Sequence, residues 1–133
     1  MSDYVIITDT SADIPADVLD KGQIKLIPMV YQLNGEECPH RNPGKWDSKA
    51  FYDKLRAGGT GSTSQISPAT YTEYFELFLK EGKDILYISL SGGLTSTWQS
   101  SHIAATDLQE AYPERRIFCI DSLAATGGQG ILV

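Results

Sequence analysis

Two stretches of this 133-residue chain carry many hydroxyls and no charged side chain. From Ala57 to Thr72 there is no Asp, Glu, Lys or Arg, and Thr60, Ser62, Thr63, Ser64 and Gln65 stand just before a Ser67-Pro68 helix start. From Ile85 to Thr106 there is again none, and Ser89, Ser91, Gly92, Gly93, Thr95, Ser96 and Thr97 lie between an apolar run and the helix that follows. In a chain that is 21% charged, such gaps are long. A helix N-terminus leaves its first N–H groups unpaired and carries a partial positive charge, so hydroxyl donors added there make a site for an anion. A phosphate ester usually recruits Arg or Lys, whereas a carboxylate is satisfied by hydroxyls and backbone N–H alone. The absence of a cation therefore favours a carboxylate or a neutral polar group. Taken singly, each stretch reads as a connection, because Ser and Thr cap helices and paired glycines mark loops. Only their meeting on one side of a sheet turns them into a site. Neither fits a phosphate-binding fingerprint.

Other chemistry has thinner support. Asp9 and Asp121 each end an apolar run and could share Mg²⁺ in a phosphotransferase or hydrolase, although an acid at such a position more often caps a turn. Thr8 and Thr10 flank Asp9, and the absence of a second acidic residue beside it counts against a DxD-type nucleophile. His40 and His102 are isolated, Cys38 and Cys119 form neither a CxxC pair nor a zinc-ligand cluster, and no Ser/His/Asp constellation or GxSxG elbow can be assembled. Both cysteines read as reduced thiols, with Cys119 a small buried hydrophobe in Ile117–Ile120. The net charge of −6 repels nucleic acid and anionic membrane surfaces. With no basic leader and no apolar stretch of spanning length, the expectation is a soluble cytoplasmic chain with no membrane insertion.

The elements that must hold these loops follow from pattern. Tyr4 to Thr8 reads as a strand buried on both faces, stopping at Asp9. Ile14-Pro15 starts a short helix that Gly22 should end as a left-handed cap. Ile24 to Leu33 is extended, with Asn34-Gly35 as a hairpin turn. Residues 38 to 46 read as loop. Asp47 caps a helix with Phe51 and Leu55 on one face, ended by Gly58-Gly59. Ser67 and Pro68 start the next helix, with Ile66 stapled on Tyr71 and a stripe of Tyr71, Tyr74, Phe75 and Phe78. Ile85 to Leu90 is a buried strand, a helix runs from about Thr95 to Ala111, and Ile117 to Ile120 is one more strand. Alternating strands and helices imply one α/β domain: a mostly parallel sheet with helices on both faces, a three-layer α/β/α arrangement with ligands at the carboxyl ends of the strands. Gly130 to Val133 reads as the start of an element that the chain cuts short.

Four segments together resemble the DegV family of fatty-acid-binding proteins. They are Ile7-Thr8-Asp9-Thr10-Ser11-Ala12-Asp13-Ile14-Pro15, Thr63-Ser64-Gln65-Ile66-Ser67-Pro68, Ser89 through Ser100, and Ile120-Asp121-Ser122 with Gly127, Gly128 and Gly130. The resemblance implies a DegV-like N-terminal domain over residues 1–133, cut before a C-terminal domain. It also implies a non-enzymatic carrier that binds a long-chain fatty acid and presents its carboxylate to the catalytic subunit of a bacterial fatty acid kinase, with no cofactor. The head-group hydroxyls of the family map onto Thr63 and Thr95, and Ser64 and Ser96 are expected as supporting donors. Ile66 replaces a proline-bearing position of the family pattern, which matters less because Pro68 still sets the helix start, and two departures bear on the site itself. Thr95 stands for a serine, and Ser96 replaces the usual glycine, which crowds a close backbone approach. The family pocket lies between two domains, so residues 1–133 are expected to hold half a site and to bind weakly alone.

Overall fold

The structure is a computed structural model that describes residues 3–38 and 46–133. Apolar β-branched runs at Tyr4–Asp9 (β1), Lys25–Ile27 (β2), Asp84–Ser89 (β6) and Ile117–Asp121 (β7) form one four-stranded sheet, ordered β2-β1-β6-β7. Every pairing in it is parallel. Parallel neighbours need crossovers, which the helices Ala16–Gly22 (α1), Pro68–Lys80 (α3) and Thr97–Ala111 (α4) provide. Thr126–Leu132 (α5) follows β7 and packs against the turn after β1. The expected α/β architecture is present.

Side chains alternate across the strands, so Val5, Ile7, Ile85, Tyr87, Ile117 and Cys119 share one face. On that face they meet Tyr71, Phe75 and Leu79 of α3 and Ala104, Ala105 and Leu108 of α4 in one continuous core. The opposite face is served by a smaller cluster of Ala12, Ile14 and Leu19 with Leu26 and Val133. It leaves Tyr4, Phe118 and Ile120 exposed. The reading of β1 as buried on both faces therefore holds for Ile7 to Asp9 and fails at Tyr4, which is exposed.

A second sheet, antiparallel and ordered β4-β3-β5, joins Glu36–Cys38 (β4), Tyr31–Leu33 (β3) and Gly61–Thr63 (β5). Its hairpin turns at Asn34 (φ 54°) and Gly35 (φ 80°), the paired left-handed residues that match the twist of the flanking strands. The extended run expected from Ile24 to Leu33 is thus two strands in two sheets, parted at Pro28, which has no N–H to continue a ladder. Gly61 to Thr63, expected as loop, pairs as β5 with β3. Ser48–Arg56 (α2) starts as expected, with Asp47 accepting the Ala50 N–H at 2.9 Å.

Two helix ends are corrected. The left-handed residue after α1 is Gln23 (φ 54°), and Gly22 is the last helical residue, where an added Cβ would lie 2.9 Å from the end of the Ile24 side chain. Helix α4 begins at Thr97, two residues later than expected, because Leu94 and Thr95 turn their N–H groups back to the Ser91 carbonyl. Most of the loop expected at 38–46, including His40, lies outside the described residues.

Candidate functional site

Strand β1 ends in a carboxylate that no water reaches: Asp9 is fully buried. A buried charge survives only if donors replace its hydration. Its Oδ1 accepts the Ser11 N–H at 3.0 Å and also bonds the Ser11 hydroxyl, which lies 3.0 Å from Gln129 Oε1. Its Oδ2 accepts Tyr87 OH at 2.8 Å, with the Leu90 N–H and Gln129 Nε2 each at 3.4 Å. Tyr71 OH sits 2.6 Å from Tyr87 OH. Burial, reinforced by the negative charge of Asp9, pushes the Tyr87 phenol well up, and burial raises Tyr71 as well. Both phenols therefore keep their protons. Since Tyr87 donates to Asp9, Tyr71 must donate to Tyr87, which fixes a one-way relay from α3 to β1.

Hydrogen bonds link each hydroxyl-rich loop to this end of β1, the Thr95 loop directly and the Thr63 segment through Met29 and Val30. Thr10 Oγ1, next to Asp9, accepts the Met29 N–H at 3.0 Å, and the carbonyl of the following Val30 accepts the Ser64 N–H at 3.1 Å. Thr63 ends β5, opposite Tyr31. From the other side, the Leu90 N–H on Asp9 anchors the loop that carries Ser91 to Ser96. The Thr95 loop thus leaves the carboxyl end of β6, and the Thr63 segment is bonded to the chain leaving the carboxyl end of β2, the end of a parallel sheet where α/β folds collect ligands. Thr95 is half-buried, with Oγ1 3.1 Å from the fully buried Thr97 Oγ1. Thr63, Ser64 and Ser96 are exposed. Among the described residues their hydroxyls take no hydrogen bond, and none joins Thr63 to Thr95.

Asp121 has a comparable role at the end of the outer strand β7. Both of its oxygens lie 3.1 Å from the Gly92 N–H, and Oδ1 also accepts the Leu123 N–H at 2.9 Å. A Cβ on Gly92 would meet Asp121 Oδ2 at 2.8 Å, so the close approach requires glycine. Asp9 and Asp121 therefore belong to separate hydrogen-bond sets. Among the described residues no group of three or more His, Cys, Asp or Glu is placed to hold a metal ion.

His102 lies exposed on α4 and stacks on Trp98 at 5.4 Å. Cys38 and Cys119 are free thiols, and burial pushes the Cys119 thiol up to about 11. The sequence reading missed Tyr71, Tyr87 and Gln129 as site-building residues. Their signal was a tyrosine inside an apolar strand, a second at the start of a helix, and a lone glutamine among the glycines of α5.

With this geometry in view, the comparisons with known proteins are specific. The sequence model of the DegV family of uncharacterised proteins matches residues 3–133. The chain belongs to the DegV family. A DegV domain-containing protein of Clostridium perfringens is 38% identical over 133 residues, all of this chain and 46% of that protein. One from Caldanaerobacter subterraneus is 32% identical over the same span and 45% of its own length. This chain spans about half the length of the curated relatives it matches. Among solved structures, a DegV family protein from Thermus thermophilus described for fatty acid binding superposes with a TM-score of 0.81 at 26% identity, over 99% of this chain and 45% of its own. A fatty acid binding DegV family protein from Streptococcus agalactiae gives 0.81 at 26%, over 100% and 46%. A Thermotoga maritima protein whose structure is described as revealing fatty acid binding gives 0.80 at 27%, over 96% and 45%.

Proposed function

We propose that this chain binds a long-chain fatty acid, with the carboxylate held by the hydroxyls of Thr63 and Thr95, Ser64 and Ser96 as supporting donors, and the tail buried. One observation carries the reading: two cation-free, hydroxyl-bearing loops from different regions of the sequence are tied to the same end of β1. Relatives of the same fold that are described as fatty-acid-binding support it. The two ends of the ligand contribute unequally. Burying a tail stabilises by about 0.8 kcal/mol per CH₂, on the order of 10 kcal/mol gross for a long chain before ordering costs. Each hydrogen bond to the charged head adds only about 1.5 to 3 kcal/mol. The tail supplies affinity, and the hydroxyls select an acid over an alcohol. On this reading the chain performs no chemistry itself and hands the carboxylate to a fatty acid kinase, as the family resemblance implies.

The alternative, a Mg²⁺-dependent phosphotransferase or hydrolase using Asp9 and Asp121, gains nothing from the geometry, because each carboxylate is engaged by its own donors. Extraction of the purified full-length protein, followed by mass spectrometry, tests the carrier reading. A co-purified fatty acid is expected, and Thr63→Ala with Thr95→Ala should weaken oleate binding by about tenfold or more. Protein that carries no lipid and a double variant that binds oleate unchanged would end it.

A further inference from the structure

The buried carboxylate of Asp9 has no role in the carrier reading, yet it bonds the base of the Thr95 loop directly and reaches, through Tyr87, the helix that the Thr63 segment feeds. Asp9 joins four separate segments. It receives Ser11 from the turn after β1, Tyr87 from β6, the Leu90 N–H from the base of the Thr95 loop, and Gln129 from α5. Through Tyr87 it also reaches Tyr71, one turn into the helix that the Thr63 segment feeds. Among the described residues no cation pairs with it, so its charge is balanced only by these oriented N–H and O–H groups. Each donor must point at Asp9 for the carboxylate to remain buried, and this fixes where the attached loops begin.

We propose that Asp9 is the positioning residue of the head-group site. Its charge sets the spacing between the Thr63 and Thr95 loops by holding Tyr71–Tyr87, at the start of the helix that the Thr63 segment feeds, and the Leu90 N–H, at the base of the Thr95 loop, on the same oxygen, Oδ2. The proposal rests on the fatty-acid reading and deepens it: acid-over-alcohol selectivity is assigned to a residue that never touches the ligand. An asparagine at position 9 keeps the shape but presents one acceptor oxygen and an NH₂ group. Whichever way the amide turns, its NH₂ faces a donor: the Ser11 N–H if it takes the place of Oδ1, or Tyr87 and the Leu90 N–H if it takes the place of Oδ2, and the segment anchored through that donor shifts. On this proposal the tail contacts stay as they are, because the substitution alters only polar partners.

The test is displacement of cis-parinaric acid from the full-length protein by oleate and, separately, by oleyl alcohol, which shares the tail and lacks the carboxylate. For Asp9→Asn, oleate affinity should fall about tenfold while oleyl alcohol changes less than about twofold. Tyr87→Phe removes a single hydroxyl and should give the same pattern at about threefold, so it carries the test if Asp9→Asn does not fold. Equal weakening of both ligands marks a purely structural residue and overturns the proposal, as does unchanged oleate affinity. Its failure is separable from failure of the carrier reading. If the unmodified protein binds oleate and loses it with Thr63→Ala and Thr95→Ala, yet both relay variants discriminate normally, only the role of Asp9 falls.

Discussion

The parallel sheet β2-β1-β6-β7 and the antiparallel sheet β4-β3-β5 meet near Met29 and Val30, and they are stabilised by different means. In the first, Ile7, Ile27, Tyr71, Phe75, Ile85 and Tyr87 are almost completely removed from water. In the second, Leu33 is buried, β5 is exposed along its whole length, and α2 buries no residue fully. Edge-to-face contacts among Tyr31, Phe51 and Tyr52, with ring centroids 5.2 to 5.3 Å apart, take the place of a core there. Opening free energy follows the apolar area hidden from water, so the smaller sheet should open at lower cost. One proposed head-group loop hangs on each: Thr95 on the rigid sheet, Thr63 on the looser one. Some of the cost of ligand binding then lies in fixing the small sheet.

The contrast can be broken most forcefully in the large core. Phe75→Ala should lose about 3 to 5 kcal/mol in urea unfolding, because a fully buried ring leaves a cavity. If the loss is under about 1 kcal/mol, the distinction between the sheets is wrong.

High pH should strike the same sheet. The thiol of Cys119 and the phenols of Tyr71 and Tyr87 are raised mainly by burial, so the folded state favours their protonated forms. Groups raised in this way stabilise fully below their unfolded values and lose that contribution as pH climbs through the folded ones. For Cys119 the window runs from 9.0 to about 11, and for the two tyrosines it opens at 10.0 and extends higher. Circular dichroism should show alkaline unfolding that begins in this range together with tyrosinate absorbance. Ionisation of all seven tyrosines near pH 10 with the fold intact would contradict the burial of these groups.

Phe51→Ala tests the small sheet and should cost about 1 to 2 kcal/mol, since the ring is only half-buried and its edge contacts are worth about 0.5 to 1.5 kcal/mol each. The sharper reading is local: amide exchange should speed up in β3 and β5 and stay slow in β1 and β6. Smallest of all, Asp47→Ala removes one helix cap and should cost about 1 kcal/mol, confined to α2. If exchange accelerated equally in both sheets, they would be one cooperative unit.

Much of this architecture was legible because its signals are local. Ser67-Pro68 announced α3, Asp47 capped α2, Asn34-Gly35 turned the hairpin, and the apolar runs of β1, β6 and β7 appeared within about a residue of their bounds. The split at Pro28 and the strand at Gly61 to Thr63 were not legible. A three-residue strand of small polar residues has no apolar alternation, and it exists only because β3 offers it a partner. The candidate hydroxyls were visible as residues, but the relay beneath them was not.

Sequence alone determined the main helices and the strands of the parallel sheet, and that two hydroxyl-rich, uncharged loops each lead into a helix, since capping, turn chemistry and hydrophobic period act over a few neighbouring residues. Tertiary structure decided that Asp9, Tyr71, Tyr87 and Gln129, spread over more than a hundred positions, close into one buried network. The reason is desolvation. A carboxylate leaving water accepts whatever donors the fold brings to it, and which donors those are depends on packing between elements distant in the chain.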